Sequence, residues 1–134
     1  MIVLDASAAV ELVLRTQLAE RIAGRVLHPA EELHAPHLID VEVTQTLRRL
    51  TQTAALAPAR AELALADFGD LAIERHAHGA LLRRIWALRA AMSAYDGAYV
   101  ALAEALATPL VTCDGRLARA HGHTAEIELI ADVP

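Results

Sequence analysis

Two short apolar runs, each closed by an aspartate, constrain this 134-residue chain more than anything else in it. Ile2-Val3-Leu4 runs into Asp5, and Leu110-Val111-Thr112-Cys113 runs into Asp114. Apolar runs of this length, separated by helical stretches, suit strands buried on both faces of a parallel sheet. In an open sheet of that kind the strand tips point to one edge, where ligands bind. If the two strands are neighbours, two carboxylates face each other there. At ~4 Å and an effective dielectric of ~20 their repulsion costs about 4 kcal/mol. Protonation or a bound cation must answer that repulsion, and a hard divalent cation suits oxygen ligands.

The rest of the chain supplies the helices such a sheet needs. Residues 2–5, 33–35, 71–74, 110–112 and 128–130 read as strands. Ser7 suits the N-cap of a helix over residues 8–15, and a second short helix covers 17–26 before His28-Pro29 breaks the chain. Pro36 fits the first turn of a long helix to Thr51, with Ile39, Val43, Leu47 and Leu50 along one apolar stripe. Further helices are predicted at 58–70, 79–89, 94–107 and 115–121. Strands alternating with helices argue for a parallel α/β sandwich, and no repeat or linker divides it, so residues 1–134 are expected to form one domain.

Composition removes several functions. All twelve basic residues are Arg, and the chain has no Lys. That excludes P-loop nucleotide hydrolases, phospho-accepting receiver domains and haloacid-dehalogenase-type phosphotransferases, whose mechanisms need a lysine. The last also want a second carboxylate two residues after the first, where this chain has Ser7. One cysteine, Cys113, permits neither an internal disulfide nor a cysteine-based zinc site, and it is expected to pack as a small apolar residue. The N-terminus lacks the basic segment of a secretory signal, and no apolar stretch is long enough to span a bilayer. The cytoplasm is the expected location, with no membrane partner. A net charge of −5 is the wrong sign for holding nucleic acid by bulk electrostatics, but it leaves transient cleavage open.

Asp5, Glu42, Asp96 and Asp114 are the candidate site residues, and each has a plainer reading. Asp114-Gly115 suits a turn and helix cap, and Asp96, three residues after Ser93, suits a capping-box-like helix start. Glu42 competes with Asp40 on one helix, and geometry alone does not choose between them. Asp5 is the hardest to explain away, because no Lys or Arg lies near it in sequence.

These segments carry a resemblance. Met1-Ile2-Val3-Leu4-Asp5-Ala6-Ser7-Ala8, Ala35-Pro36-His37-Leu38-Ile39-Asp40-Val41-Glu42-Val43, Tyr95-Asp96-Gly97-Ala98-Tyr99-Val100-Ala101-Leu102-Ala103 and Pro109-Leu110-Val111-Thr112-Cys113-Asp114 resemble the PIN-domain ribonucleases, and among them the VapC-type toxins of bacterial toxin–antitoxin pairs. Order, spacing and length all fit, and the pattern selects Glu42 over Asp40. The resemblance implies a PIN-like three-layer sandwich with a five-stranded parallel sheet of order 3-2-1-4-5. It implies that Asp5, Glu42, Asp96 and Asp114 hold one or two Mg²⁺ or Mn²⁺ ions, with Ser7 and Thr112 orienting acids or water behind them. Gly97 departs from the pattern, since a larger small residue is commoner there.

The activity implied is metal-dependent endoribonucleolytic cleavage leaving 5′-phosphate and 3′-hydroxyl ends. A homodimer and a small cognate antitoxin protein, docked partly on the apolar helices over 36–70, are the implied partners besides RNA. Two rivals stand beside this reading: a catalytically inactive PIN-fold partner-binding module, and a metal-dependent phosphoesterase acting on DNA or small phosphate esters. With no lysine present, an arginine must contact phosphate, and Arg15, Arg84, Arg116 and Arg119 are the candidates by position. The His76/His78 and His121/His123 pairs lack a third ligand in sequence and read as surface or loop residues. Trp86 reads as a core or subunit contact.

Overall fold

Strand β1 (Ile2–Leu4) has no exposed surface at all, as its unbroken apolar run requires, and it lies at the centre of the sheet in a computed structural model that describes residues 1–132. β2 (Leu33–Pro36) and β4 (Leu110–Thr112) flank it, and β3 (Ile73–His76) and β5 (Ile127–Leu129) form the edges. All pairs are parallel and the order is β3-β2-β1-β4-β5. The winding reverses between β1 and β4, so a crevice opens beyond their carboxyl ends. The register pairs Val3 with Leu110 and Leu4 with Val111, which brings Asp5 level with Thr112.

Helices cover both faces. α1 (Ala6–Val13) and α3 (Leu38–Gln52) pack together on one side, and α6 (Ala94–Leu106) lies across β1, β2 and β4 on the other. α2 (Ala19–Val26) packs on α1, α4 (Pro58–Asp70) on α1 and α3, α5 (Leu82–Ala87) on α6, and α7 (Gly115–Ala118) on β4 and β5. Small residues, among them Ala8, Ala9, Ala98 and Ala101, are buried where helices approach neighbours, and Ile39, Val43, Tyr99 and Val100 fill the larger spaces. Leu50 lies only partly buried at the end of the α3 stripe. No helix among the described residues is long and apolar enough to cross a membrane.

Four local expectations are corrected. Asp5, not Ser7, is the N-cap of α1, and its carbonyl accepts the Ala9 N–H at 3.1 Å. Pro36 closes β2 rather than opening α3, and the ladder to β3 runs past it, the His37 N–H bonding the His76 carbonyl at 2.9 Å. The third strand starts at Ile73, two residues late, because the Leu71 N–H still caps α4 by bonding the Phe68 carbonyl at 3.1 Å. The helix expected over 79–89 divides into a 3-10 turn at Gly79–Leu81 and the short α5.

One ion pair fastens α5 and the loop before β5 to α6. Arg84 donates from Nε and Nη2 to the two Glu104 carboxylate oxygens at 2.8 and 2.9 Å, and Thr124 gives its N–H and hydroxyl to Oε2 at 3.0 and 2.9 Å. These contacts, the Arg84 fork first, hold the Glu104 carboxyl down at about 2. A carboxyl lowered by folding contributes its stability above the unfolded value, and that stability is lost as pH falls towards the folded one. Glu104→Ala is therefore expected to destabilise the chain by about 2 kcal/mol at neutral pH. Denaturant melts between pH 4.5 and 2 should show a loss of stability in the parent that the variant lacks.

Candidate active site

The four acids come from β1, α3, α6 and the tip of β4, and they line one cleft of ≈ 410 Å³ together with Ser7, Thr46, Arg49 and Arg116. Asp5 is buried at the strand tip, and its N–H still bonds the Val111 carbonyl at 3.0 Å. The Ser7 and Thr112 hydroxyls both donate to Asp5 Oδ2, at 2.6 and 2.7 Å. The same hydroxyl oxygens accept the N–H groups of Cys113 and Asp114, each at 3.0 Å, so the turn after β4 is tied to the Asp5 carboxylate. Burial raises the Asp5 carboxyl above its usual range; the hydroxyls and the Ala6 N–H counter it, and Asp114 adds repulsion.

Glu42 reaches the cleft from the early turns of α3, where Tyr99 donates its hydroxyl to Oε1 at 2.7 Å. Desolvation raises this carboxyl first, Tyr99 offsets it, and Asp5 and Asp96 repel it further. Asp40, its competitor in sequence, is removed from contention by the fork of Arg75, whose Nε and Nη2 hold both its oxygens at 2.8–3.0 Å. Asp96 sits in the first turn of α6, its N–H capped by Ser93 Oγ at 3.1 Å, so the capping arrangement expected from sequence is present. Burial is the largest cause of its raised carboxyl, followed by repulsion from Asp5 and Asp114. Asp114 caps α7 by accepting the Arg116 N–H at 2.8 Å. A cap at this position and a place in the cleft are compatible. Gly97 is buried against Ile85, where an added Cβ would lie 3.4 Å from Ile85 Cγ2.

Among the described residues, Asp5, Glu42 and Asp96 form no ion pair within 4.0 Å, and only Arg116, at 3.5 Å from Asp114, offers the set a cation. An all-oxygen donor set in which the Asp5, Glu42 and Asp96 carboxyls are raised and unpaired fits a hard divalent ion. No three of the four acids bring carboxylate oxygens within 4.8 Å of one another. Direct contact from one or two of them, with the others reaching through water, is how Mg²⁺ is ordinarily held.

Several residues were misplaced or missed in sequence. Arg84 and Arg15 pair with Glu104 and Asp67, away from the cleft, whereas Arg49 lines it. The signal for Arg49 was helical spacing: Glu42, Thr46 and Arg49 are four and three residues apart and share a helix face. Tyr99 had the same signal, three residues after Asp96 on α6. Trp86 lies in solvent, 68% exposed, with the Arg89 guanidinium stacked over its ring at 4.5 Å, and is no core residue. Cys113 is half-buried against the core, and burial pushes its thiol up to about 11. His76 pairs not with His78 but with His34, while His78 accepts the Leu38 N–H at 3.2 Å.

The chain matches the PIN domain over residues 2–122. It is 45% identical over 131 residues to Ribonuclease VapC12 of Mycobacterium tuberculosis, covering 98% of this chain and 100% of that one. Ribonuclease VapC9 of the same organism is 48% identical over 117 residues, 87% of this chain and 88% of the relative. Among solved structures, a chain of the VapBC2 complex of Rickettsia felis, bound to a DNA fragment from its promoter, superimposes with a TM-score of 0.70 at 14% identity over 96% of this chain and 98% of that one, a likeness of fold.

The raised carboxyls carry a stability consequence. A carboxyl that binds its proton more tightly in the folded chain weakens the fold progressively as pH rises from the unfolded value through the folded one, and the penalty is complete above that. Asp96→Asn removes the charge and is expected to raise the unfolding midpoint of EDTA-treated protein at pH 7 by about 2–4 °C. Calorimetric melts at pH 4 and pH 7 check this, with the gain confined to the higher pH.

Proposed function

The chain belongs to the PIN-domain family, in its VapC-type ribonuclease toxin branch, and from that premise we propose that it is an endoribonuclease of a toxin–antitoxin pair, cleaving RNA phosphodiesters with Mg²⁺ or Mn²⁺ in the carboxylate cleft. The observation that carries this reading is the meeting of four carboxylates from separate segments in one cleft, three of them without a cationic partner. Asp5 and Asp96 would hold the ion directly, and Glu42 and Asp114 would complete its surroundings directly or through water. Bound there, the ion supplies positive charge against the phosphate and makes a water nucleophile more acidic.

The chain's own residues do the positioning. Ser7 and Thr112 fix the Asp5 carboxylate by their two short donated bonds, and Tyr99 does the same for Glu42. Arg49 and Arg116, exposed at the cleft wall, would be the forks that contact backbone phosphate. Asp114 accepts from Arg116 at 3.5 Å, a contact loose enough to be exchanged for phosphate.

The chain acts, in this proposal, as one domain over residues 1–134, a homodimer of the cytoplasm. Its activity is held in check by a small antitoxin whose apolar contacts run along the groove between α3 and α4, lined by Leu47, Pro58, Ala61 and Leu65. Exposed Trp86 and Leu82 on α5 supply apolar surface for a second copy.

Incubation of the purified chain with labelled RNA, single-stranded DNA and a chromogenic phosphodiester tests the proposal. RNA cleavage is expected, dependent on Mg²⁺ or Mn²⁺ and abolished by EDTA. Asp96→Asn should lower the rate by about 10²–10³-fold. Cleavage of the DNA or the ester alone would favour the phosphoesterase rival, and equal rates for parent and Asp96→Asn would refute the site.

A further inference from the structure

A second cluster of metal-ligating side chains lies outside the carboxylate cleft, on neighbouring strands β2 and β3. His34 and Glu74 are partners in the parallel register, and His76 lies two residues beyond Glu74 on the same strand face. His34 Nδ1 lies 2.9 Å from His76 Nε2 and 3.6 Å from a Glu74 carboxylate oxygen. Among the described residues these are the three side chains whose ligand atoms all lie within 4.8 Å of one another. None of the three lines the carboxylate cleft.

We propose that His34, Glu74 and His76 form a Zn²⁺ site that pins the edge strand β3 to β2. Two imidazole nitrogens and a carboxylate oxygen are a borderline-soft donor set, suited to Zn²⁺ and poorly suited to Mg²⁺. With Zn–N bonds of ~2.0–2.1 Å, two tetrahedral ligands stand about 3.3 Å apart. The observed 2.9 and 3.6 Å bracket that value, so side-chain adjustments of a few tenths of an ångström complete the geometry.

The surroundings of the other His34 nitrogen select the tautomer that ligation through Nδ1 needs. His34 is 4% exposed, and its Nε2 is buried without a hydrogen-bond partner, 3.5 Å from Glu32 Oε2. If Nδ1 carried the proton and donated to His76, Nε2 would turn a bare lone pair towards a carboxylate, so the proton belongs on Nε2, where it points at Glu32. Nδ1 is then left with its lone pair towards His76 and Glu74, ready to accept the His76 N–H or to bind a metal. A metal on Nδ1 keeps the proton on Nε2. That is the carboxylate–histidine–metal arrangement that fixes the tautomer and strengthens the ligand. Three protein ligands leave the fourth position to water, on the side where Glu74 is open to solvent.

Because the carboxylate cleft also attracts divalent ions, the test uses the full chain carrying Asp5→Asn and Asp96→Asn, so that failure here is separable from failure of the nuclease reading. After EDTA treatment and dialysis this protein is titrated with Zn²⁺ by calorimetry and with Co²⁺ by visible absorption. One Zn²⁺ per chain is expected, with intense tetrahedral ligand-field bands for Co²⁺ and a rise of about 5 °C or more in the unfolding midpoint at saturating Zn²⁺. Adding His76→Gln, or separately the solvent-facing Glu74→Gln, should weaken Zn²⁺ binding at least about 10-fold. Absence of Zn²⁺ binding overturns the proposal, and so does undiminished binding in both variants, which would place the ion elsewhere, for instance at His121 and His123.

Discussion

The pairing of β1 with β4 is the constraint on which the rest of the molecule depends. That register sets Asp5 beside Thr112, closes the two-hydroxyl clamp on Oδ2 and ties the Cys113–Asp114 turn to it. Without it, a carboxylate at the end of a fully buried strand would have neither solvent nor a cation. With it, Asp5 is oriented but its charge is not neutralised, and burial keeps its carboxyl raised. In the function proposed above, a cation answers the residual charge.

Elsewhere among the described residues several acids are held by arginine forks. Arg75 takes Asp40, Arg25 joins Glu31 and Glu128, and Arg84 takes Glu104. The Arg75–Asp40, Arg25–Glu128 and Arg84–Glu104 pairs each tie two segments at least 20 residues apart, with the guanidinium forking onto the carboxylate in all three. Asp5, Glu42 and Asp96, gathered in the cleft without a cationic partner, contrast with these arginine-held acids. The same contrast shows why Glu42, held by a neutral phenol, faces the cleft while its neighbour Asp40 does not.

Much of this was legible in sequence because it follows from local pattern. The apolar runs at 2–4 and 110–112 could be little else than buried strands, and Ser93 three residues before Asp96 marked the start of α6. Boundaries failed where neighbours in space decide them: the start of β3 depends on its register with Leu33, and Pro36 stays in β2 because His37 carries the ladder bond to His76. Pattern reading also could not find Tyr99 against Glu42, 57 residues apart, or His34 against His76, 42 apart. In both cases one partner looks like ordinary core or surface until the sheet and its covering helices place the other beside it.

The central claim is that Asp5, Asp96 and their neighbours converge to bind a divalent ion. Anomalous diffraction from crystals of the parent chain grown with Mn²⁺ tests it most directly. A difference peak within coordination distance of Asp5 and Asp96, lost when Asp96 is replaced by Asn, is the predicted result. A cleft with no peak at saturating Mn²⁺, its carboxylates instead turned to solvent or to arginine, would contradict it.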